Sequence, residues 1–560
     1  MTLSLFTRHR GTGPSSPLTA DACPRLASGV TFERTADHTV WIASVHGVPS
    51  SRLSPAVVEL LRAMDGATAL HVLHDRFAPA EPPDGFLQLV GRFRDSGLLE
   101  GGTRRTPGRL VYRPPFTVQI ATRRAPAIFG RLERLIVPVS RRVLWGSVAV
   151  VLGTGALAAV LQATEVRRIL SQPVPLTGIV IVIAALAVTT LLHEGAHGLA
   201  LTRFGGTPRR AGVMLFYLTP AFFVDVTDGW RLSERRHRVT VALAGPIVHA
   251  LVASVALVTA LVVPNSDLRD ALLLLAVSCI AIVAVNLIPF VRFDGYIAMM
   301  SALDEPNLRA RAIRDGTGFV TRVLYGGPRA PKSLDRWWSG PFGLASLLGP
   351  VVLVSWAVLR TAHALAGGGP VLGAAVIALE AVVVLVGGGM LVRALRRVFR
   401  SGVSRPRFFV VTSALLGAVA VAGAVVPVPA TVTYGFVSDG DRVLVVQAAG
   451  RPDAPVSDGA RVALLTRGLL VSEDVGDGTV RRHRAETTSV PLDALLPVRA
   501  DAVSVPAQIV AVVDVSARHG RLPATGEARV ETGTHNLWQA LWRLAVESPL
   551  SPVPGTNEKG

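Results

Sequence analysis

Leu191-Leu192-His193-Glu194-Gly195-Ala196-His197-Gly198 is an H-E-x-x-H motif set inside an apolar run. On a helix, His193 and His197 stand four residues apart, so both imidazoles project from one face and can hold one metal ion. Two neutral imidazoles suit Zn²⁺, and Glu194 beside them suits a general base acting on metal-activated water. From Thr177 to Leu201 these are the only ionisable side chains, and ionisable groups in lipid are costly enough to mark function. The competing reading is a pair of core histidines bonded to backbone. The cost of membrane burial weighs against it.

Composition agrees with a bilayer setting. Half of the 560 residues are hydrophobic and 17% are charged, with a mean hydropathy of +0.45, which places much of the chain in lipid. Residues 1–22 read as a flexible N-terminus, and its first 17 residues lack the apolar core of a secretory signal. The net charge of +18 is carried by arginines that flank apolar runs. That is an orientation signal and argues against nucleic acid as a partner. Two cysteines, Cys23 and Cys279, exclude a disulfide framework and a cysteine zinc site.

Residues 23–101 read as a small α+β module. Val30 to Phe32 and Thr39 to Ala43 suggest strands joined by an Ala36-Asp37-His38 turn. Ser54-Pro55 starts a helix whose apolar stripe ends at Gly66. Leu70, Val72 and Leu73 supply a second helix and Phe86 to Phe93 a third, a winged-helix-like order. Cys23-Pro24-Arg25-Leu26, Leu53-Ser54, Leu61-x-x-Met64-Asp65-Gly66 and Gly97-Leu98-Leu99-Glu100 together resemble the PqqD-like fold. The resemblance implies a module that binds the leader of a ribosomally made peptide as an added strand beside its third helix. A generic winged helix with a structural or DNA-binding role is the alternative.

Residues 102–142 read as a basic, proline-interrupted linker. Seven apolar runs follow, at about 143–162, 178–202, 239–263, 271–290, 341–359, 371–392 and 408–428. Each is long enough to cross the hydrocarbon core as a helix. Arginines crowd alternate flanks: Arg131 to Arg142, Arg203 to Arg210, Arg231 to Arg238, Arg292 to Arg336 and Arg393 to Arg407. The intervening loops are poor in basic residues, so the positive-inside rule puts the N-terminal module in the cytoplasm. Seven crossings put residues 429–548 outside. Thr431 to Tyr434, Arg442 to Val446 and Ile509 to Val513 read as strands of a β-rich barrel or sandwich there. That domain vaguely resembles the adaptor domains of membrane-fusion proteins in export systems, and residues 549–560 read as a disordered tail. The expected class is therefore a mostly α, polytopic membrane protein with an N-terminal α+β module and a C-terminal β-rich soluble domain.

A catalytic zinc site needs a third protein ligand and an open position. Asp294, in Asn286-Leu287-Ile288-Pro289-Phe290-Val291-Arg292-Phe293-Asp294-Gly295-Tyr296, is the best candidate, because topology gives it a depth similar to that of His197. Pro289 is expected to break the fourth span and turn the carboxylate inward. Asn286 could hold a carbonyl or oxyanion. The two motifs, with Ala244-Gly245-Pro246 between them, resemble the site-2 protease family of intramembrane zinc metalloproteases over roughly residues 175–300. The resemblance implies one Zn²⁺ held by His193, His197 and Asp294, with Glu194 as the base. Gly212 to Asp225, through Trp230, and Phe293-Asp294-Gly295-Tyr296 are similar to the peptide zinc metalloprotease subgroup, and among these to proteases of daptide-type biosynthesis. No PDZ module is recognisable.

Three further polar groups need placing. Asp225 is a tentative ligand or substrate contact, with a structural role in a re-entrant hairpin favoured. His249 is balanced between orienting a ligand and sitting satisfied in the core. Glu380 is the lone carboxylate of the sixth run, with protonation in place the preferred reading. The expected function is removal of the leader from a bacteriocin- or daptide-type precursor. Its partners are then the precursor peptide, membrane lipid, peptide-modifying enzymes and an export transporter. The alternatives are regulated intramembrane proteolysis of a membrane-anchored regulator, and a catalytically inactive peptide-binding or export accessory. Orientation is directly testable: reporter fusions after Thr361 and Pro429 are expected outside, and fusions after Gly101 and Arg329 in the cytoplasm. A cytoplasmic signal at Pro429 would remove one crossing, the sixth first, because it carries Glu380.

Overall fold

A computed structural model describes residues 18–547 apart from 35–40, 46–47, 102–109, 114–116, 217–218, 306, 329–331, 335, 366–369, 440–441, 450–455, 470 and 501–502. The Ala36-Asp37-His38 turn, residues 549–560 and most of the expected flexible N-terminus lie outside the described residues. The chain divides into two compact units, Met1–Arg141 with Thr190–Gly245, and Arg142–Thr189 with Pro246–Gly560.

The first unit opens with strands β1 (Val30–Arg34), β2 (Trp41–Val45) and β3 (Val48–Leu53), an antiparallel sheet in the order β1-β2-β3. Helices α1 (Pro55–Arg62), α2 (Leu70–Phe77) and α3 (Pro83–Asp95) follow, and Pro55 sits in the first turn of α1, where its missing amide costs nothing. Strand β3 was not expected, because Val48-Pro49-Ser50-Ser51-Arg52-Leu53 has a proline and no apolar alternation. Leu61, Met64, Leu70, Leu73 and Leu98 are fully buried between helices and sheet. Residues 24–27 clip this core shut. The Leu26 and Ala27 amides donate to the Met64 and Leu98 carbonyls at 3.1 and 2.9 Å, and the Glu100 amide donates to Arg25 at 2.8 Å. Asp65 accepts from the Ala67 and Thr68 amides, which hold its carboxyl below the usual carboxylate range.

The chain continues through β4 (Leu110–Arg113), β5 (Thr117–Thr122) and α4 (Ala125–Ile136), then α5 (Arg141–Leu161), α6 (Ala163–Ser171) and β6 (Val174–Pro175). Next come α7 (Leu176–Arg203), β7 (Ala211–Phe216) and β8 (Thr219–Val224). Residues 102–142 are therefore not a plain linker. Strand β5 pairs antiparallel with β7, giving a four-stranded sheet in the order β4-β5-β7-β8. Local pattern could not announce this, because the partner of β5 lies some ninety residues downstream and β5 is mostly polar on one face.

The second unit carries most of the apolar length. With α8 (Arg235–Val262), α9 (Ser266–Asn286), α12 (Ser339–Leu365), α13 (Pro370–Arg400) and α14 (Arg405–Val425), helices α5 and α7 make seven among the described residues that are long and apolar enough to cross a membrane. The long basic loop after α9 folds into two more helices, α10 (Asp294–Leu303) and α11 (Leu308–Tyr325). Helix α9 ends at Asn286, so Pro289 follows the span and does not break it. Ala158, Ala253, Ala256, Ala260, Ala271 and Ala276 are buried where α5, α8 and α9 meet. Small side chains let helix backbones approach closely, which is how apolar helices pack when lipid offers no hydrophobic drive.

Beyond α14, strands β9 (Pro427–Asp439), β10 (Arg442–Ala448), β11 (Arg461–Leu465), β12 (Asp474–Pro491), β14 (Ser504–Arg518) and β15 (Thr525–Asn536) close into a barrel, ordered β10-β14-β12-β11-β15-β9. Ala507, Ile509, Ala511 and Val513 alternate inward along β14, the period-two signature of a half-buried strand. The barrel is tied to the helices at two places. Strand β13 (Val498–Arg499) pairs in parallel with β6, and the Val471 amide donates to Leu170 at 3.1 Å. A short helix, α15 (Leu537–Trp542), capped by a reciprocal Asn536–Gln539 pair, lays the Trp538 indole on Gly423 and donates to the Ala420 carbonyl of α14 at 3.0 Å.

Candidate metal centre

Helix α7 places His193 and His197 one turn apart, each 6% exposed. The Nδ1 of His197 lies 2.7 Å from the Val241 carbonyl of α8. A carbonyl only accepts, so Nδ1 carries the proton and Nε2 presents its lone pair. That Nε2 lies 3.2 Å from Nε2 of His193, the rings set nearly edge to face at 83°. Two bonds of about 2.0–2.1 Å at a tetrahedral angle span roughly 3.3 Å between nitrogens, so the pair fits a zinc ion. Gly245 of α8 makes the space: a Cβ there would sit 2.5 Å from both Nε2 atoms. His193 and His197 belong to the first unit and Asp294 to the second. Asp294 is half-buried at the first position of α10.

Glu194 is held from the sheet. Its Oε2 accepts from the Val224 amide at 3.1 Å, at the end of β8. The approach is close because residue 198 has no side chain. A Cβ on Gly198 would meet the Phe129 ring of α4 at 2.6 Å and Val224 at 3.0 Å.

Asp225 follows β8 and turns on itself, its Oδ1 accepting from the Thr227 amide at 3.1 Å and from the Thr227 hydroxyl at 2.5 Å. Asn286 is the half-buried last residue of α9, His249 is buried on α8, and Glu380 is half-buried on α13. Asp474, Asp477 and His519 bring one ligand atom each within 4.8 Å of one another, exposed on the barrel. There the imidazole lies 3.2 and 3.8 Å from the two carboxylates, an ordinary ion-pair arrangement.

Three contributors were not read from sequence. The Val241 carbonyl and the Val224 amide are main-chain groups, which no motif records. Asp228, 1% exposed, accepts from the Thr207 amide and hydroxyl at 2.9 and 3.1 Å and lies 3.4 Å from Arg209. It fixes the entry to β7, and its only sequence signal is an acid amid Arg209, Arg210 and Arg231.

Comparison with protein-family models, curated proteins and solved structures finds no match to this chain. The site is therefore judged on its own geometry. Gly245→Ala should push both imidazoles off their line and lower zinc affinity of the purified full chain about 10–100-fold, the range for disturbed support of a metal ligand. Zinc retention equal to wild type, measured by elemental analysis, would mean that α7 and α8 part without cost and that Gly245 does not set the gap.

Proposed function

We propose that this chain is a membrane zinc endopeptidase of the site-2 protease type that removes the leader from a ribosomally made precursor peptide. The observation that carries the reading is the buried pair of Nε2 atoms 3.2 Å apart, with Glu194 on the intervening turn. A zinc ion held by His193, His197 and Asp294 would supply Lewis acidity, lowering the pKa of water and polarising a peptide carbonyl. His197 is kept in the ligating tautomer by its bond to Val241. Glu194, steadied by the Val224 amide, takes the proton from water and returns it to the leaving amine. Asn286 is the side-chain donor proposed for the developing oxyanion.

Substrate delivery follows from the sheets. Among the described residues β8 pairs on one side only, with β7, so its other edge can take an extended peptide by main-chain pairing. That strand ends at the amide bonded to Glu194, which brings an added strand beside the base. In the N-terminal module, the segments that resemble the PqqD-like fold are the ones that meet: Arg25 pairs with Asp65 and Leu26 with Leu99. A leader held there would raise the local concentration of the scissile region, as linked sites do.

The tests separate the chemistry from the delivery. Wild type should hold one zinc per chain. Glu194→Gln should keep it and lose turnover by about 10²–10⁴-fold, the contribution of a positioned base. Asp294→Ala should lose the metal, and full activity in that variant would remove Asp294 from the site. Deleting residues 1–101 should raise the apparent KM for the full precursor while zinc content stays unchanged. Both forms should cut a short peptide spanning only the cleavage site poorly and alike. Equal processing of the full precursor at low concentration would sink the delivery reading and favour proteolysis of a membrane-anchored regulator.

A further inference from the structure

Helices α13 and α14 leave a groove of about 370 Å³, lined by Val392, Leu395, Arg396, Phe399, Arg400 and Phe408. The five α13 residues recur at helical spacing, so they form one face, apolar at 392, 395 and 399 and cationic at 396 and 400. Phe408 is the floor. It is 9% exposed, stacked on Tyr325 at 5.6 Å and met edge-on by Phe399 at 5.2 Å. The volume falls within the roughly 300–1,000 Å³ typical of small-molecule sites. The lining is greasy along its length, with its charge gathered on two side chains one turn apart.

Among the described residues neither Arg396 nor Arg400 has a hydrogen-bond or ion-pair partner. No acidic residue occurs from 381 to 438, while Arg393, Arg396, Arg397, Arg400, Arg405 and Arg407 all do. Glu380, the nearest carboxylate on α13, is about 24 Å from Arg396 along the helix at 1.5 Å per residue. Both arginines stand at the end of a membrane-length apolar helix, the depth at which guanidinium groups reach phosphate headgroups while their stems stay in the apolar layer.

We propose that this groove is a binding site for one anionic phospholipid, its acyl chain along Leu395, Phe399 and Phe408 and its phosphate between Arg396 and Arg400. An anion alone would leave the apolar wall uncovered, and a zwitterionic lipid would leave the cationic face without net compensation. An anionic lipid satisfies both. The proposal requires only that α13 and α14 lie in a bilayer, so it stands apart from the protease reading.

The test uses the full chain, purified and stripped of lipid in neutral detergent, then titrated with phosphatidylglycerol or phosphatidylcholine and read by native mass spectrometry. Wild type should retain one phosphatidylglycerol in preference to phosphatidylcholine, and millimolar inorganic phosphate should not displace it. Arg396→Gln with Arg400→Gln should weaken that retention about 30-fold, the effect of two basic side chains at a membrane surface. Arg393→Gln with Arg397→Gln, off the lining, should change it far less. Equal loss in the two double variants would mean diffuse attraction by the arginine belt. Equal retention of both lipids, or displacement by phosphate, would also overturn the proposal. An unchanged melting temperature of the Arg396/Arg400 variant rules out misfolding as the cause of lost binding.

Discussion

Two imidazole nitrogens meeting inside an apolar helix set the terms for everything around them. A buried polar side chain has no water to turn to, so each of its atoms must find a partner in the protein or on an ion. His197 spends Nδ1 on the Val241 carbonyl, which commits its remaining nitrogen to the side facing His193. The pair closes to 3.2 Å only because the neighbouring helix offers a backbone with no Cβ at Gly245. A methyl group there would occupy the ground between the rings. One hydrogen bond and one missing side chain thus decide which chemistry this helix face can perform.

The same logic extends to the sheet β4-β5-β7-β8. Glu194 reaches a strand end, where the amide of Val224 meets it. For the strand to come so near, residue 198 must be glycine and Phe129 must fill the space beside it. The strands that carry Val224 are in turn braced by β5, and Asp228 anchors the turn into β7 through Thr207. In the proposed reading the base and the substrate-pairing edge are therefore one mechanical unit. Loosening β5 would disturb Glu194 without touching a metal ligand.

Much of this was legible in the residues. The four-residue spacing of the histidines, the seven apolar runs, the small-residue element at Ala244-Gly245-Pro246 and the alternating strands of the C-terminal domain are all periodic or local signals. What escaped was non-local or main-chain. Strand β5 has its partner some ninety residues away, β3 lacks alternation, and α11 hides in a basic loop because its apolar residues are diluted by arginine. Pro289 misled for a related reason: it marks where α9 has already ended at Asn286, a boundary that hydropathy blurs. Asp225 was legible as an acid in a hairpin, while its partner Thr227 is a local contact that only the structure shows. No sequence pattern records that a carbonyl at 241 or an amide at 224 is the group that orients the site.

The barrel gains a clearer role when its attachments are followed into the helices. Strand β13 pairs with β6, and β6 is followed immediately by Leu176, the first residue of α7. Across the same region Arg167 meets Glu473 and Arg499 meets Asp267 at 3.1 Å, contacts too exposed to contribute much stability by themselves. The backbone pairing matters more, because it fixes the start of α7 in rotation as well as position. At the other end of the barrel, β9 leaves α14 after a single residue and Trp538 returns to the same helix at Ala420. The domain is therefore held at both ends by short, directional contacts to membrane-length helices. Backbone pairing with β6 at one end and the Trp538 indole on α14 at the other thus hold the barrel to the rest of its own unit.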